Sequence, residues 1–499
     1  MKETFFIKTL FSPSAPYFQE GIDLCIDAFS QQKDEVNTFN KDVLGNTFSS
    51  LTIPEEPASI KNYLSDILET IIPACSHLAS PTYLGHMTSP LPSFIPEIGR
   101  LIQTLNQNMV KMETSRGLTL LERQLLKLLH QEIFNCNDDF YADINQDFSK
   151  TTGIFTSGGT MANLTAMWVA TRQARQNSES RLAVIGSELL HYSFDKAAAL
   201  LGFELYRLPV NQQQKVYVDH IEQQIQACTK QGITVAAIVG IAGTTDFGSI
   251  DPLFEIAELG RRYGIHVHID AAWGGAFILS HKHKFLLAGI ELADTVTIDG
   301  HKQMLMPIGT GMLFFKKPEL SRVLIHTAPY AVRKTSLDQG RFTLEGTRPA
   351  NMLYLHACLH LIGKQGYGEL FGTAMDNIKN MASYIKNHPA FELLTEPTIN
   401  ILSYRFIPKR FRNKALTAED NQQISEFNCL LQKIQRSRGK SFVSRSERKF
   451  ACHGNKALVF LRVVLLNPCV EKEHILFMLQ DQLDIADDIE QNYDQLKSK

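Results

Sequence analysis

Residues 295–315 read TVTIDGHKQMLMPIGTGMLFF. Two apolar runs, Thr295–Ile298 and Gly311–Phe315, flank a turn that carries Asp299, Gly300, His301 and Lys302. Runs this short and this apolar, bounded by Gly and Pro, predict strands buried on both faces. The tip of such a strand is where open α/β sheets bind ligands. A lysine there, with its proton affinity lowered, can form a Schiff base with a carbonyl. The plain alternative is a solvated lysine on a turn, and the neighbouring segments must decide.

Working outward, further short strands are predicted at Gly153–Thr156, Leu182–Ile185, Glu204–Leu208, Val235–Ile241 and His266–Ile269. Helical patterns such as Met161–Arg175 and Phe254–Tyr263 separate them. Seven strands with helical crossovers imply a mostly parallel, doubly wound α/β sheet. Leu118, Leu121, Leu125, Leu128 and Leu129 recur at helical spacing upstream and predict a helix that buries one face. The expected organisation is a helical N-terminal segment (1–79), a large α/β domain (80–365) and a small α+β C-terminal domain (366–499). The last is read from strands at Ile399–Phe406 and Ala457–Leu466 and helices at Ala418–Arg436 and Glu471–Leu483.

Composition excludes several classes. Lys plus Arg is 50 and Asp plus Glu is 52, so nothing suggests nucleic acid or an anionic membrane as partner. The eight cysteines form no C-x-x-C pair, which fits reduced thiols and a cytoplasmic location. The N-terminus does not read as a secretory signal, and no apolar run reaches transmembrane length.

Four segments carry candidate chemistry. In HVHIDAAWGGAF (266–277), Asp270 ends a strand. It is either a helix cap or a carboxylate that holds a proton on a ring nitrogen. Ala272 is small enough for a flat ring to lie against it. His266 and His268 alternate on one strand face, but no third ligand stands at a plausible spacing, so no metal is expected. In GIFTSGGTMANLTAMW (153–168), a strand meets Gly158, Gly159 and Thr160 at a helix start, where free amides bind phosphate. No Lys follows those glycines, so this is not a Walker loop. In ELLHYSFDKAAALLG (188–202), His191 is either a cap or a ring-stacking imidazole. The fourth segment is DGHK itself, with Lys302 placed 32 residues after Asp270.

This order and spacing resemble the fold-type I, group II amino-acid decarboxylases that depend on pyridoxal 5'-phosphate (PLP), over roughly residues 80–470. The resemblance implies a PLP-dependent-transferase-like fold and assigns roles by position. Lys302 would bind the cofactor covalently, and Asp270 would pair its ring nitrogen. Ala272 would lie beneath the ring and His191 above it. Gly158, Gly159 and Thr160 would bind the phosphate, and Thr245 would stand near the 3-hydroxyl. His301 would contact phosphate or substrate. Tyr330 would return a proton to the substrate carbon after CO2 leaves. Many members carry Asn where this chain has Asp299. An ionised carboxylate cannot donate to phosphate, so Asp299 would contact it only when protonated or through a neighbour.

The resemblance also implies an acidic substrate. GNKALVFLRVVLLNPCV (454–470) is similar to a segment of glutamate decarboxylases in which an arginine, here Arg462, pairs the substrate α-carboxylate. A structural ion pair is the competing reading of Arg462. Thr82, His86 and Thr88, in PTYLGHMTS, are candidates for a distal carboxylate, with Asn108 and Glu113 in similar surroundings. Together these features most resemble bacterial aspartate 1-decarboxylases, which make β-alanine, with glutamate decarboxylases second. The family further implies a homodimer with shared sites, in which Gly346 and Thr347 approach the partner's cofactor and Arg348 fixes their loop. Aromatic amino-acid decarboxylation, a PLP-dependent carbon–carbon lyase and an inert scaffold are the alternatives. Retention of Lys302, Asp270 and His191 argues against the scaffold.

Overall fold

The computed structural model describes residues 16–31, 48–49, 51–88, 90–177, 180–327, 335–450 and 456–496. Seven strands form where the apolar runs place them. They are β1 (Gly153–Thr156), β2 (Leu182–Ser187), β3 (Glu204–Leu208), β4 (Thr234–Ile241), β5 (His266–Asp270), β6 (Thr295–Asp299) and β7 (Gly311–Phe315). They make one sheet in the order β1-β7-β6-β5-β4-β2-β3. Strands β2 to β6 pair in parallel, whereas β7 runs antiparallel to both β1 and β6.

Successive residues of a strand point to opposite faces. Val184, Val239, Leu313 and Phe315 pack into one core, and Ile185, Ile238, Met312 and Phe314 into another. Both faces are covered, which is why the strands read as continuous apolar runs. The fold is the expected α/β class.

The helix Gly117–Phe134 buries Leu125, Leu126, Leu129 and Ile133. Leu128, expected on that face, is 39% exposed, because the stripe rotates past it. The helix also buries Thr119, Glu122, Arg123 and His130. Glu122 accepts both Arg348 guanidinium nitrogens at 2.5 and 2.6 Å. Arg123 donates to the carbonyls of Ile144, Asn145, Asp147 and Lys150. His130 Nε2 donates to Phe315 O at 2.9 Å, which ties the helix to β7.

A second sheet contains β8 (Phe391–Leu393), β9 (Ile401–Phe406), β10 (Ser444–Phe450) and β11 (Lys456–Val464), in the order β10-β11-β9-β8. Neither β8 nor β10 was expected. The stretch Ile60–Leu78, read as one apolar-periodic segment, is instead an α-helix (Ile60–Asp66), a π-helical turn (Ile67–Ile71) and a 3-10 turn (Ile72–Ala74). Pro73, with no N–H to donate, ends the series.

Contact density groups the chain into two units. One comprises residues 1–85, 426–444 and 470–499, and the other residues 86–425 and 445–469. In the first, Leu84 N donates to Phe442 O at 2.9 Å and Tyr83 stacks on Phe442. The second holds the large sheet and every cavity-lining residue described below. Among the described residues, no helix is long and apolar enough to cross a membrane.

Candidate active site

The turn after β6 places a buried acid beside a lysine. Asp299, 3% exposed, has Oδ2 at 3.2 Å from Lys302 Nζ and 3.6 Å from His301 Nε2. Its Oδ1 is buried and finds no hydrogen-bond partner among the described residues. His301 Nδ1 lies 2.8 Å from Thr310 O, so that nitrogen carries the proton. Gln303 anchors the turn by donating to Trp273 O at 2.9 Å.

The adjacent strand β5 ends at Asp270, which is 6% exposed. Its Oδ2 accepts from Asn163 Nδ2 at 2.9 Å and its Oδ1 from Ala272 N at 3.1 Å. His191 is held through Nδ1, which accepts from Ser193 N at 3.2 Å and lies 2.9 Å from Ser193 Oγ. Burial lowers the proton affinity of His191 below the usual histidine range, opposed by the Asp270 charge.

Next to these lies the turn between β1 and the helix Gly159–Asn177. Met161 N and Ala162 N both bond to Gly158 O, which leaves the Gly159 and Thr160 amides outside the helix's own hydrogen bonds. Gly158 has φ of +149°, and a Cβ on Gly159 would lie 2.7 Å from Asp299 Oδ2. Side chains are excluded there, so a ligand can meet bare backbone.

These elements surround a cavity of about 350 Å³. Its lining includes Gly158, Gly159, Thr160, His191, Thr245, Asp270, Ala272, Asp299, His301 and Lys302. A helix-start phosphate loop, an acid at a strand tip and a lysine share one pocket. The residues present therefore fit PLP, a phosphorylated pyridine aldehyde. No group of three His, Cys, Asp or Glu side chains among the described residues could hold a metal ion.

Among the described residues, the other expected site residues are not part of that lining. Arg462 is 8% exposed, donates to Thr245 O at 3.0 Å and stands 3.9 Å from Asp246 Oδ1. Burial lowers its proton affinity, and Asp246 opposes the shift. Partial burial and the Arg462 charge both lower that of His86. Thr88 Oγ1 is buried with no partner among the described residues. Thr82 donates to Lys440 O at 3.0 Å within its own unit. Gly346 and Thr347 are exposed, and Thr347 Oγ1 receives Asn108 Nδ2 at 3.3 Å. Tyr330 lies outside the described residues.

Sequence reading missed two polar groups here. Asn163 follows Gly159 by one helical turn, so it falls on the same helix face, and that spacing was the available signal. Asp246 accepts from Ser446 Oγ at 2.6 Å and Arg448 Nε at 2.8 Å, two residues remote in sequence that gave no signal.

Comparison with known proteins bears on this arrangement. The pyridoxal-dependent decarboxylase conserved domain matches residues 46–407. Aspartate 1-decarboxylase of Aliivibrio fischeri (strain ATCC 700601 / ES114) is 39% identical, covering 88% of this chain and 85% of its own length. L-2,4-diaminobutyrate decarboxylase of Acinetobacter baumannii is 30% identical over 72% of this chain and 73% of that one. The crystal structure of mouse CSAD in apo form shares the fold, with a TM-score of 0.82 at 23% identity over 95% of this chain and 99% of that one. The match spans the cavity and both strand-tip acids, and the chain belongs to the pyridoxal-dependent decarboxylase family: it is a PLP-dependent amino-acid decarboxylase.

Proposed function

We propose that this enzyme removes the α-carboxylate of L-aspartate to give β-alanine. The observation that carries the reading is the 39% identity to an aspartate 1-decarboxylase over 88% of the chain. Arg462 supports it, because a largely buried guanidinium bonded to the carbonyl of the cavity residue Thr245 suits a carboxylate ligand.

PLP, when bound, supplies an aldehyde for the substrate amine and a ring that takes up the electron pair left by CO2. The chain's own groups do the rest. Lys302 Nζ would hold the cofactor through its aldehyde. Asp299, 3.2 Å from that nitrogen, is the acceptor within reach of its proton. Asp270 would pair the ring nitrogen, and His191 and Ala272 would flank the ring. Gly158, Gly159 and Thr160 would hold the phosphate, Thr245 would stand near the 3-hydroxyl, and His301 would contact the phosphate or the substrate. Arg462 orients the α-carboxylate, which selects the bond that breaks. His86 and Thr88 receive the distal carboxylate. Tyr330 returns the proton to the α-carbon. Gly346 and Thr347 serve the partner subunit's site in a homodimer.

A CO2-release assay with added PLP tests this on L-aspartate, L-glutamate, L-cysteine sulfinate, L-2,4-diaminobutyrate and L-DOPA. We expect aspartate to be preferred over glutamate by about 10–200-fold, the range that one methylene allows. Lys302→Ala should lower the rate at least about 10³-fold. Release from diaminobutyrate or DOPA but not from aspartate would overturn the reading.

A further inference from the structure

His266 and His268 take no part in the chemistry above, yet they lie in an unbroken line of hydrogen bonds that ends on Asp270. Asn163 Nδ2 donates to Asp270 Oδ2 at 2.9 Å. Asn163 Oδ1 lies 3.1 Å from His268 Nε2, and His268 Nδ1 lies 3.0 Å from Thr295 Oγ1. Thr295 Oγ1 lies 2.8 Å from His266 Nε2, and His266 Nδ1 lies 3.1 Å from the Gln173 side-chain amide. Asn163, His268 and Thr295 are each 1% exposed or less.

Two premises, an ionised Asp270 and a neutral His268, set the direction of the hydrogen bonds from Asp270 to Thr295. An ionised Asp270 only accepts, so Asn163 must turn its NH2 group toward it. The Asn163 oxygen then faces His268 Nε2, which must carry a hydrogen. A neutral His268 has a bare Nδ1, which must accept from the Thr295 hydroxyl. The Thr295 oxygen is left to accept from His266 Nε2–H. Each donor therefore points toward Asp270. A protonated Asp270 could donate to Asn163, and the whole line could then run the other way.

We propose that Asn163 and His268 are positioning residues for Asp270. They hold its carboxylate as a fixed anion toward the cofactor's ring nitrogen, and Thr295 and His266 set the tautomer of His268. The titratable groups facing His268 are Asp270 and His266, with the Phe194 ring packed 6.0 Å away. The inference rests on the assignment of Asp270 to the ring nitrogen and is independent of which amino acid is the substrate.

Two experiments test it. In the unloaded protein labelled with 15N-histidine, His268 should be neutral and protonated at Nε2 from pH 5 to pH 9, its signal identified by its loss in His268→Gln. Protonation at Nδ1, or titration within that range, overturns the proposal. In the PLP-loaded protein, His268→Leu should weaken cofactor binding about tenfold and shift the pH dependence of its visible absorbance. His268→Gln, which can still present an amide N–H to Asn163, should restore both to within about threefold. Leu and Gln variants that behave alike, both normal or both impaired, overturn it. Asp270→Ala separates the two levels. If it leaves the cofactor absorbance unchanged, the assignment of Asp270 has failed. If it changes the absorbance while His268→Leu does not, only the positioning role has failed.

Discussion

Asp270 and Asp299 end neighbouring parallel strands and are 6% and 3% exposed. Asp270 receives two neutral donors, the Asn163 amide and the Ala272 backbone N–H, one on each oxygen. Asp299 has Lys302 and His301 on the side of Oδ2, and its Oδ1 meets no donor among the described residues. Neutral donors on both oxygens fix a carboxylate as an anion in one orientation. A carboxylate paired on one side and bare on the other answers to whatever arrives. Two acids of the same type, one strand apart, thus stand in different surroundings, as the different roles proposed for them require.

The comparison breaks most clearly at Asp270. Asp270→Ala should lower kcat by about 10³-fold, measured by CO2 release at saturating PLP. Loss confined to cofactor binding, with kcat intact, would mean that the acid is only a scaffold.

Glu122 is a third buried carboxylate, paired bidentately to Arg348. Glu122→Ala should cost about 3 kcal/mol, read from the urea midpoint, because it strands a guanidinium. A smaller loss would show that burial alone does not make these acids critical.

Two buried neutral histidines have their own signature in acid. Burial pushes His268 down to about 3 and His130 down to about 4, from 6.5. The unfolded chain takes up those protons below pH 6.5 while the folded chain refuses them. Stability is therefore full above pH 6.5 and falls as the pH drops through this window, by roughly 3 kcal/mol for His130 at pH 4. His130→Gln should flatten the slope of urea stability against pH.

The smallest effect belongs to Asp299. Asp299→Asn replaces a carboxylate oxygen with an amide donor and should tighten PLP retention about tenfold, measured by equilibrium dialysis. Weaker retention would place Asp299 away from the phosphate and end the contrast.

Much of this was legible in the sequence, for physical reasons. The seven strands show because both faces of a parallel sheet are apolar and Gly-rich turns punctuate it. That Lys302, Asp270, His191 and the turn at residues 158–160 meet at one cavity shows because strand tips and helix starts have fixed addresses. Strand β10, SRSERKF, did not show, because a charged edge strand has no apolar period to read. Asn163 did not show either: its spacing from Gly159 puts it on the face of the turn, but no linear pattern marks Asp270 and His268 as its partners. The hydrogen-bond direction through His268 needs neighbours from two strands and a helix and lies beyond any linear pattern.

The place of β7 has a consequence for how the chain is made. Strand β1 leaves the ribosome first of the seven, and its partner in the sheet is β7, the last. Synthesis proceeds from the N-terminus, and folding can follow it. The phosphate turn that hangs on β1 cannot meet Lys302 in the finished sheet until Gly311–Phe315 has emerged and slipped between them. A nascent chain arrested before that point should lack the cofactor site altogether, however well its inner strands have already paired.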